Sequence, residues 1–332
     1  MGLIMYGGTP YGGVRKSSSA SSALLDSWLD GSGTTGNYYN DRITRVSAYA
    51  FAYTQFTSIS LPNVETVGGS AFRECTSLTS VSLPSLTASD EYSVFYNCTS
   101  LKSVYLPLIG KCANSNFYNC VSLESISLPN VTELGFATFQ DCTSLINLDI
   151  PKLSTVDFSA FQGCTSLISI SFPNVTTISS NTFNNCTSLT SVQLPNVTSA
   201  GSGSFQNCTA LFTICLPKVS VINSWLFYGC INLTVVDMPK ASSFNAYTND
   251  TFKNTASDLK LILRNNTLCT LGNNPTSTFN GSTFASTGSG GTLYVPQSLV
   301  SAYKNDTKWK QVMNLNANNQ ILPIEGSPYE NT

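Results

Sequence analysis

Histidine is absent from all 332 residues. Its absence rules out Ser-His-Asp and Cys-His nucleophile arrangements and every metal site that draws on imidazole. Charge is the next scarcity: Asp, Glu, Lys and Arg make up 10% of the chain and leave a formal net charge of −2. A surface so poor in cations does not track phosphates, so neither nucleic acid nor an anionic membrane is an expected partner. No stretch approaches the roughly 18 consecutive apolar residues of a membrane-spanning helix, so no membrane insertion is expected. Glycine motifs for phosphates or dinucleotides are missing, and no cofactor is expected. The opening MGLIMYGGTPYGG lacks a charged segment followed by an apolar core of about 7–15 residues, so an ordinary signal peptide is not expected.

What the chain does have is a period. Cysteine recurs at Cys75, Cys98, Cys120, Cys142, Cys164, Cys186, Cys208 and Cys230, one step of 23 residues and then steps of 22. Phenylalanine precedes each by three residues, from Phe72 to Phe227, and leucine follows each by three, from Leu78 to Leu233. Next comes an alternating run such as Leu189-x-x-Val192-x-Leu194, closed by Pro195. Alternation with period two reads as a half-buried strand, and proline, with no N–H to donate, ends it. A second extended piece, such as Val175 to Ile178, and a short turn of helix carrying the phenylalanine complete the expected coil. The residue before the cysteine is Asn97, Asn119, Asp141, Gly163, Asn185, Asn207 or Gly229, with Glu74 departing from the set. Asn, Asp and Gly tolerate positive φ, so a sharp turn is expected there. Self-similarity at this period means a solenoid, in which stacked coils bury a core that no single coil can bury.

Eleven cysteines do not make a disulfide scaffold here. Stacked equivalents lie about 4.8 Å apart with parallel side chains, whereas a disulfide wants converging Cβ atoms about 3.8 Å apart. The column reads as free buried thiols acting as small hydrophobes. Cys112, Cys215 and Cys269 lie off the column. Cys215 falls at an outward strand position and is the thiol expected to react first.

Along the chain, residues 1–42 read as a flexible Gly/Ser/Tyr-rich arm and N-terminal cap, with Ala23 to Asp30 as a short helix over the first coil's open end. Residues 43–264 read as the solenoid. Its first coil is degenerate, with Tyr53 in place of cysteine, and its last keeps Phe252 with Thr255 in the cysteine slot. Residues 265–332 read as a polar excursion to about 291, a strand at Thr292 to Pro296, a capping helix from Ser298 to about Leu315, and a last extended piece at Ile321 to Ile324. Atypical ends are what a stacked array needs to cover its edges. The Asn-x-Ser/Thr triplets at Asn130, Asn174 and Asn196 are by-products of the repeat, and their asparagines are expected to serve turns.

The pattern AFxxCTSLxxVxLPNVTxI, repeated over about residues 43–324, resembles the BspA-like leucine-rich repeats. The ending TLYVPQSLVSAYK, with Trp309 and ILPIEG, is similar to the terminal cap of such proteins in gut Firmicutes and their prophages, and MYGGTPYGG resembles short phage structural proteins. The resemblance implies a leucine-rich repeat solenoid. Its expected form is a β-rich right-handed superhelix of about ten coils with short helical turns, parallel strands on the concave face and a C-terminal capping helix. It also implies adhesion or protein binding without catalysis. Family members often carry a secretion signal and a wall anchor, and this chain shows neither, which favours a virion or an unusual export route.

Chemistry is hard to place on such a frame. Paired carboxylates of glycosidases sit about 5–9.5 Å apart, but the outward acids Asp149 and Asp237 fall four coils apart, roughly 19 Å at ~4.8 Å per strand. Asp90 and Glu91 are adjacent, and neighbouring side chains diverge. Zinc is not expected from thiols filed one per coil. The outward strand positions, such as Ser169/Ser171 and Ser191/Gln193, form a hydroxyl-rich face whose distinctive groups are Tyr105, Asn147, Asp149, Gln193 and Asp237. The plainer reading is a sheet kept polar for solubility. The functional one is a platform for a protein or glycan outside the cell, on an adhesin at the cell surface. A tail-associated virion component, its N-terminal arm docked on the particle, is the structural alternative.

Overall fold

The computed structural model describes residues 23–25, 35–87, 91–245, 250–273, 291–313 and 320–331; the arm at residues 1–22 lies outside the described residues. Among the described residues most coils contribute two short strands, one to each of two parallel arrays. The longer strands, such as Ser125–Ser127, Asn147–Asp149, Ser169–Ser171 and Ser191–Gln193, are in register at the repeat spacing, Asn147 opposite Ser125 and Ser169 opposite Ser191. This sheet begins before the expected solenoid boundary, at Thr35–Tyr39, and runs on through Lys260–Ile262, Thr292–Val295 and Gln320–Pro323. The second sheet is built from two-residue strands such as Glu133–Leu134 and Thr155–Val156. Ala23–Leu25 belongs to it as a strand paired with Ile43–Val46, so the helix expected from Ala23 onwards does not form at those residues. Pairing with the exposed first edge wins over local helix propensity.

The segment carrying the phenylalanine is a third inter-coil ladder rather than a helical turn. The N–H groups of Ser70, Phe72 and Glu74 donate to the carbonyls of Tyr92, Val94 and Tyr96 in the next coil, at 3.0, 2.9 and 2.8 Å. Those of Ala71, Arg73 and Cys75 donate three residues back within the coil, at 3.3, 3.0 and 3.4 Å. This alternation needs two left-handed residues per coil, four apart: Ser70 and Glu74, Ser93 and Asn97, Asn181 and Asn185. The expected turn before each cysteine is therefore present, at Glu74 (φ 59°) as well. Tyr53 (φ 64°) also occupies that turn position, so the cysteine slot of the first coil belongs to Thr54, whose Oγ1 lies 3.5 Å from Cys75 Sγ.

Phenylalanine stacking runs the length of the core. From Phe51 through Phe252 one buried ring per coil faces the next, with centroid separations of 5.2 Å for Phe51–Phe72 and 5.9 Å for Phe227–Phe252. Tyr38 closes the first end against Phe51 and Phe56, at 5.2 and 5.1 Å. Eight column thiols are free and buried, and each does more than fill space. Cys142, Cys164 and Cys186 donate to the carbonyls of Phe117, Phe139 and Phe161 in the preceding coil, at 3.0, 3.1 and 3.2 Å. Each of these carbonyls already accepts the N–H of its own coil's cysteine, such as Cys120 N–H to Phe117 O at 3.2 Å, and the small, weakly donating thiol adds a second bond from the next coil. Burial pushes seven of these thiols up, Cys120 and Cys230 to about 12, whereas the hydrogen bond with the Cys98 thiol lowers Cys75. The asparagines after the strand-ending prolines stitch coils together: Asn130, Asn174 and Asn196 donate to the carbonyls of Pro107, Pro151 and Pro173.

At the far end the capping helix is two, Val300–Asn305 and Thr307–Met313. Asp306 breaks it and caps the second piece, its Oδ1 accepting from the N–H groups of Lys308 and Trp309 at 2.9 Å each. The stretch after residue 265 is more than a polar excursion. Cys269 is buried, its N–H donates to Tyr303 Oη and its carbonyl accepts from Trp309 Nε1, both at 2.8 Å. Thr270 continues the second sheet as a bridge to Ser243.

Candidate functional site

The outward side chains of the longer strands form columns one strand spacing, about 4.8 Å, apart. Within such a column like charges repel at every step, so small hydroxyls are the residues that stack without penalty. Four of the five distinctive groups stand on this face. Tyr105 is 57% exposed, and Asn147, Asp149 and Gln193 are exposed. Asp149 accepts from Ser127 Oγ at 2.9 Å, and Gln193 Oε1 accepts from Ser171 Oγ at 3.1 Å.

Asp237 does not belong with them. It is 8% exposed, and its carboxylate is clasped by Arg264, with Nη2 to Oδ2 at 2.9 Å and Nε to Oδ1 at 3.3 Å. Arg264 Nη2 also donates to the Tyr329 carbonyl at 2.7 Å, while Tyr329 packs edge-on to Tyr294 at 5.0 Å. The C-terminal tail thus closes over the last strands, and Asp237 is a structural anion beneath it. Cys215, one strand before, is the exposed thiol among the eleven. Partial burial and then the nearby Asp237 carboxylate raise its pKa.

A further column escaped the sequence reading. The residues directly after the repeat leucine are Thr79, Lys102, Glu124, Ile146, Ile168, Thr190, Phe212 and Thr234. They are joined coil to coil by backbone bonds such as Thr190 N–H to Ile168 O at 2.9 Å and Thr234 N–H to Phe212 O at 2.9 Å. Ile146, Ile168 and Phe212 are 37%, 47% and 59% exposed, so apolar surface borders the hydroxyl face. The signal was in the sequence as three apolar residues in a column otherwise polar, but that column lies just outside the alternating run. Among the described residues no three acidic, thiol or imidazole groups converge as metal ligands, and no helix is long and apolar enough to cross a membrane.

The chain matches the BspA type leucine rich repeat region, in six copies, over residues 44–167 and 154–283. A leucine-rich repeat protein from Bacteroides ovatus is similar in structure, with a TM-score of 0.54 and 26% identity over 67% of this chain and 65% of its own. The T. pallidum leucine-rich repeat protein is 27% identical, with a TM-score of 0.47, over 50% of this chain and 82% of its own. A leucine-rich cell surface protein from Faecalibacterium prausnitzii is 18% identical with a TM-score of 0.44, over 96% of both chains. No curated protein matches.

Proposed function

The chain belongs to the BspA-type leucine-rich repeat family, and from that premise we propose that it is a non-enzymatic recognition protein that holds a protein partner on its longer-strand face outside the cell. Leucine-rich repeat proteins of this family are binding proteins, which supports recognition in general. A chain without histidine offers little to acid–base or nucleophilic catalysis. The observation that carries the reading is the exposed column of Ile146, Ile168 and Phe212 beside the hydroxyl face. Binding energy at protein interfaces concentrates in apolar and aromatic anchors surrounded by polar contacts. Tyr105, Asn147, Asp149 and Gln193 supply the polar surround.

Site-specific photocrosslinking tests this. Benzoylphenylalanine at Ile168, presented to a cell-surface protein extract, is expected to give a discrete protein adduct that Phe212→Asp abolishes. The same group at Gln162, in the turn segment, is expected to give none. Equal adducts from both positions, or an adduct indifferent to Phe212→Asp, would refute the assignment of this face.

A further inference from the structure

We propose that the turn segments of the later coils carry a second site, a saccharide-binding subsite for a neutral pyranoside, centred on Trp225. Independent of the strand-face reading, it rests on a departure from the small residues that hold one turn position through the middle coils. The first left-handed position is held by Tyr49 in the first coil, then by Ser70, Ser93, Ser115, Ala137, Ser159, Asn181 and Gly203, then by Trp225 at φ 53° and by Asp250 in the last. A bulky side chain in that region is a genuine outlier, and strained positions of this kind cluster at ligand clamps. Trp225 remains 43% exposed.

The surroundings give the ring something to work with. An open depression of about 480 Å³ is lined by Asn181, Gln206, Trp225, Tyr228, Asp250 and Lys253. Beside two of its lining residues stands Gly203, the glycine of the column (φ 64°), where a Cβ would lie 2.5 Å from Asn181 Oδ1 and 3.2 Å from Gln206 Oε1. Glycine there leaves a gap of two coil spacings between Asn181 and Trp225, with both amide oxygens turned over it. At the far wall Asp250 Oδ2 lies 3.6 Å from Lys253 Nζ, and Lys253 sits over the Tyr228 ring at 5.8 Å. Asp250 Oδ1, shielded from solvent, accepts no hydrogen bond among the described residues.

Two aromatic rings beside two amides and a carboxylate match a sugar ring. The C–H face of a pyranose packs on indole or phenol, and its rim hydroxyls bond to amide and carboxylate oxygens, as amphipathic ligands require. The lone ion pair leaves no net charge, which favours a neutral sugar. No aliphatic side chain lines the depression, which argues against a peptide side chain as the occupant.

Indole NMR of ¹⁵N-tryptophan-labelled protein tests the site. Methyl β-galactoside, methyl β-glucoside and methyl α-mannoside are titrated to about 50 mM, with sorbitol as the open-chain control. Saturable movement of the Trp225 indole signal by at least one pyranoside, with Trp309 unmoved and sorbitol silent, is the expected result. Trp225→Ser restores the residue commonest in that column, so it folds; it is expected to lower the affinity at least tenfold, read by saturation transfer to the sugar. Asp250→Asn is expected to weaken binding several-fold. Absence of any saturable shift, an equal response to sorbitol, or unchanged binding by Trp225→Ser would each overturn the proposal. So would a polypeptide partner captured through Trp225 with no saccharide response. Substitutions at Ile168 or Phe212 leave this titration unchanged, so failure of either site is read separately.

Discussion

Replacing Phe183 with alanine tests the stacking that holds the array together. Phe183 is fully buried, with Phe161 and Phe205 stacked on either side at 5.5 Å each. A buried Phe→Ala change costs about 3–5 kcal/mol, and three lost ring pairs, the third with Phe172 at 6.3 Å, at ~0.5–1.5 kcal/mol each place this site toward the upper end. In a solenoid each coil touches only its neighbours, so any opening that includes the Phe183 coil becomes easier by the whole amount. Openings that fray an end short of it do not change. The column thiols report this coil by coil, since each is buried in its own coil. Alkylation in sub-denaturing urea, resolved by mass spectrometry, should speed at Cys164, Cys186 and Cys208 together by roughly 10³-fold or more, taking ~1.4 kcal/mol per factor of ten. Cys75 and Cys230, nearer the ends, should keep the rates set by fraying. A uniform rise at all eight thiols would refute nearest-neighbour coupling in favour of one all-or-none unit. A rise at Cys186 alone would refute the coupling itself.

In the native protein one thiol per chain is expected to react with Ellman's reagent, and Cys215→Ser should abolish that reaction. Burial and the Asp237 carboxylate raise the Cys215 pKa, so the thiolate is scarce at neutral pH and the rate should still be climbing as pH passes 9; a plateau below pH 8.5 contradicts this. Arg264→Ala strands the Asp237 carboxylate beneath the tail. Loss of one partner of a buried pair costs about 3–5 kcal/mol, and with side-chain exposures of 18% and 11% the lower end applies. The expected readout is faster alkylation of Cys269 in the cap, partly restored in the double variant Asp237→Leu/Arg264→Met. A double variant worse than the single one would show that the charge pair is not the cause.

Much of this fold was legible because stacking repeats each constraint once per coil. The phenylalanine, cysteine and leucine columns, the strand and its closing proline were read from spacing, and the parallel register follows from it. What escaped was set by contacts between coils rather than within one. The left-handed residue four before Glu74 or Asn97 is a serine at Ser70 and Ser93, a residue type that does not announce positive φ; only the next coil's carbonyls select that conformation. Ala23–Leu25 reads locally as a helix, but an unpaired sheet edge claims it. Asp237 shares a column with the exposed Asp149 and Gln193, yet Arg264, 27 residues further on, and the carbonyl of Tyr329, 65 residues beyond Arg264, decide its burial. No periodicity encodes a tail that folds back.

That contrast bears on where recognition chemistry can reside in such a molecule. Side chains at strand spacing meet their own equivalents about 4.8 Å away on both sides, so a column is driven toward residues that tolerate themselves: serine on the strand face, threonine beside it, phenylalanine within. A self-compatible residue repeated along a column carries little specificity, because every coil presents the same group. Discrimination therefore has to come from the positions that break their column. Ile146, Ile168 and Phe212 break a polar column on the strand side. Gly203 and Trp225, neighbours in a column that holds serine, alanine or asparagine from Ser70 to Asn181, break it in opposite directions, one removing a side chain and the other adding the largest available. A random substitution would be expected to disturb one coil; paired departures that open a gap and wall it with an aromatic ring are coordinated, and that coordination is the physical argument for a site at Trp225.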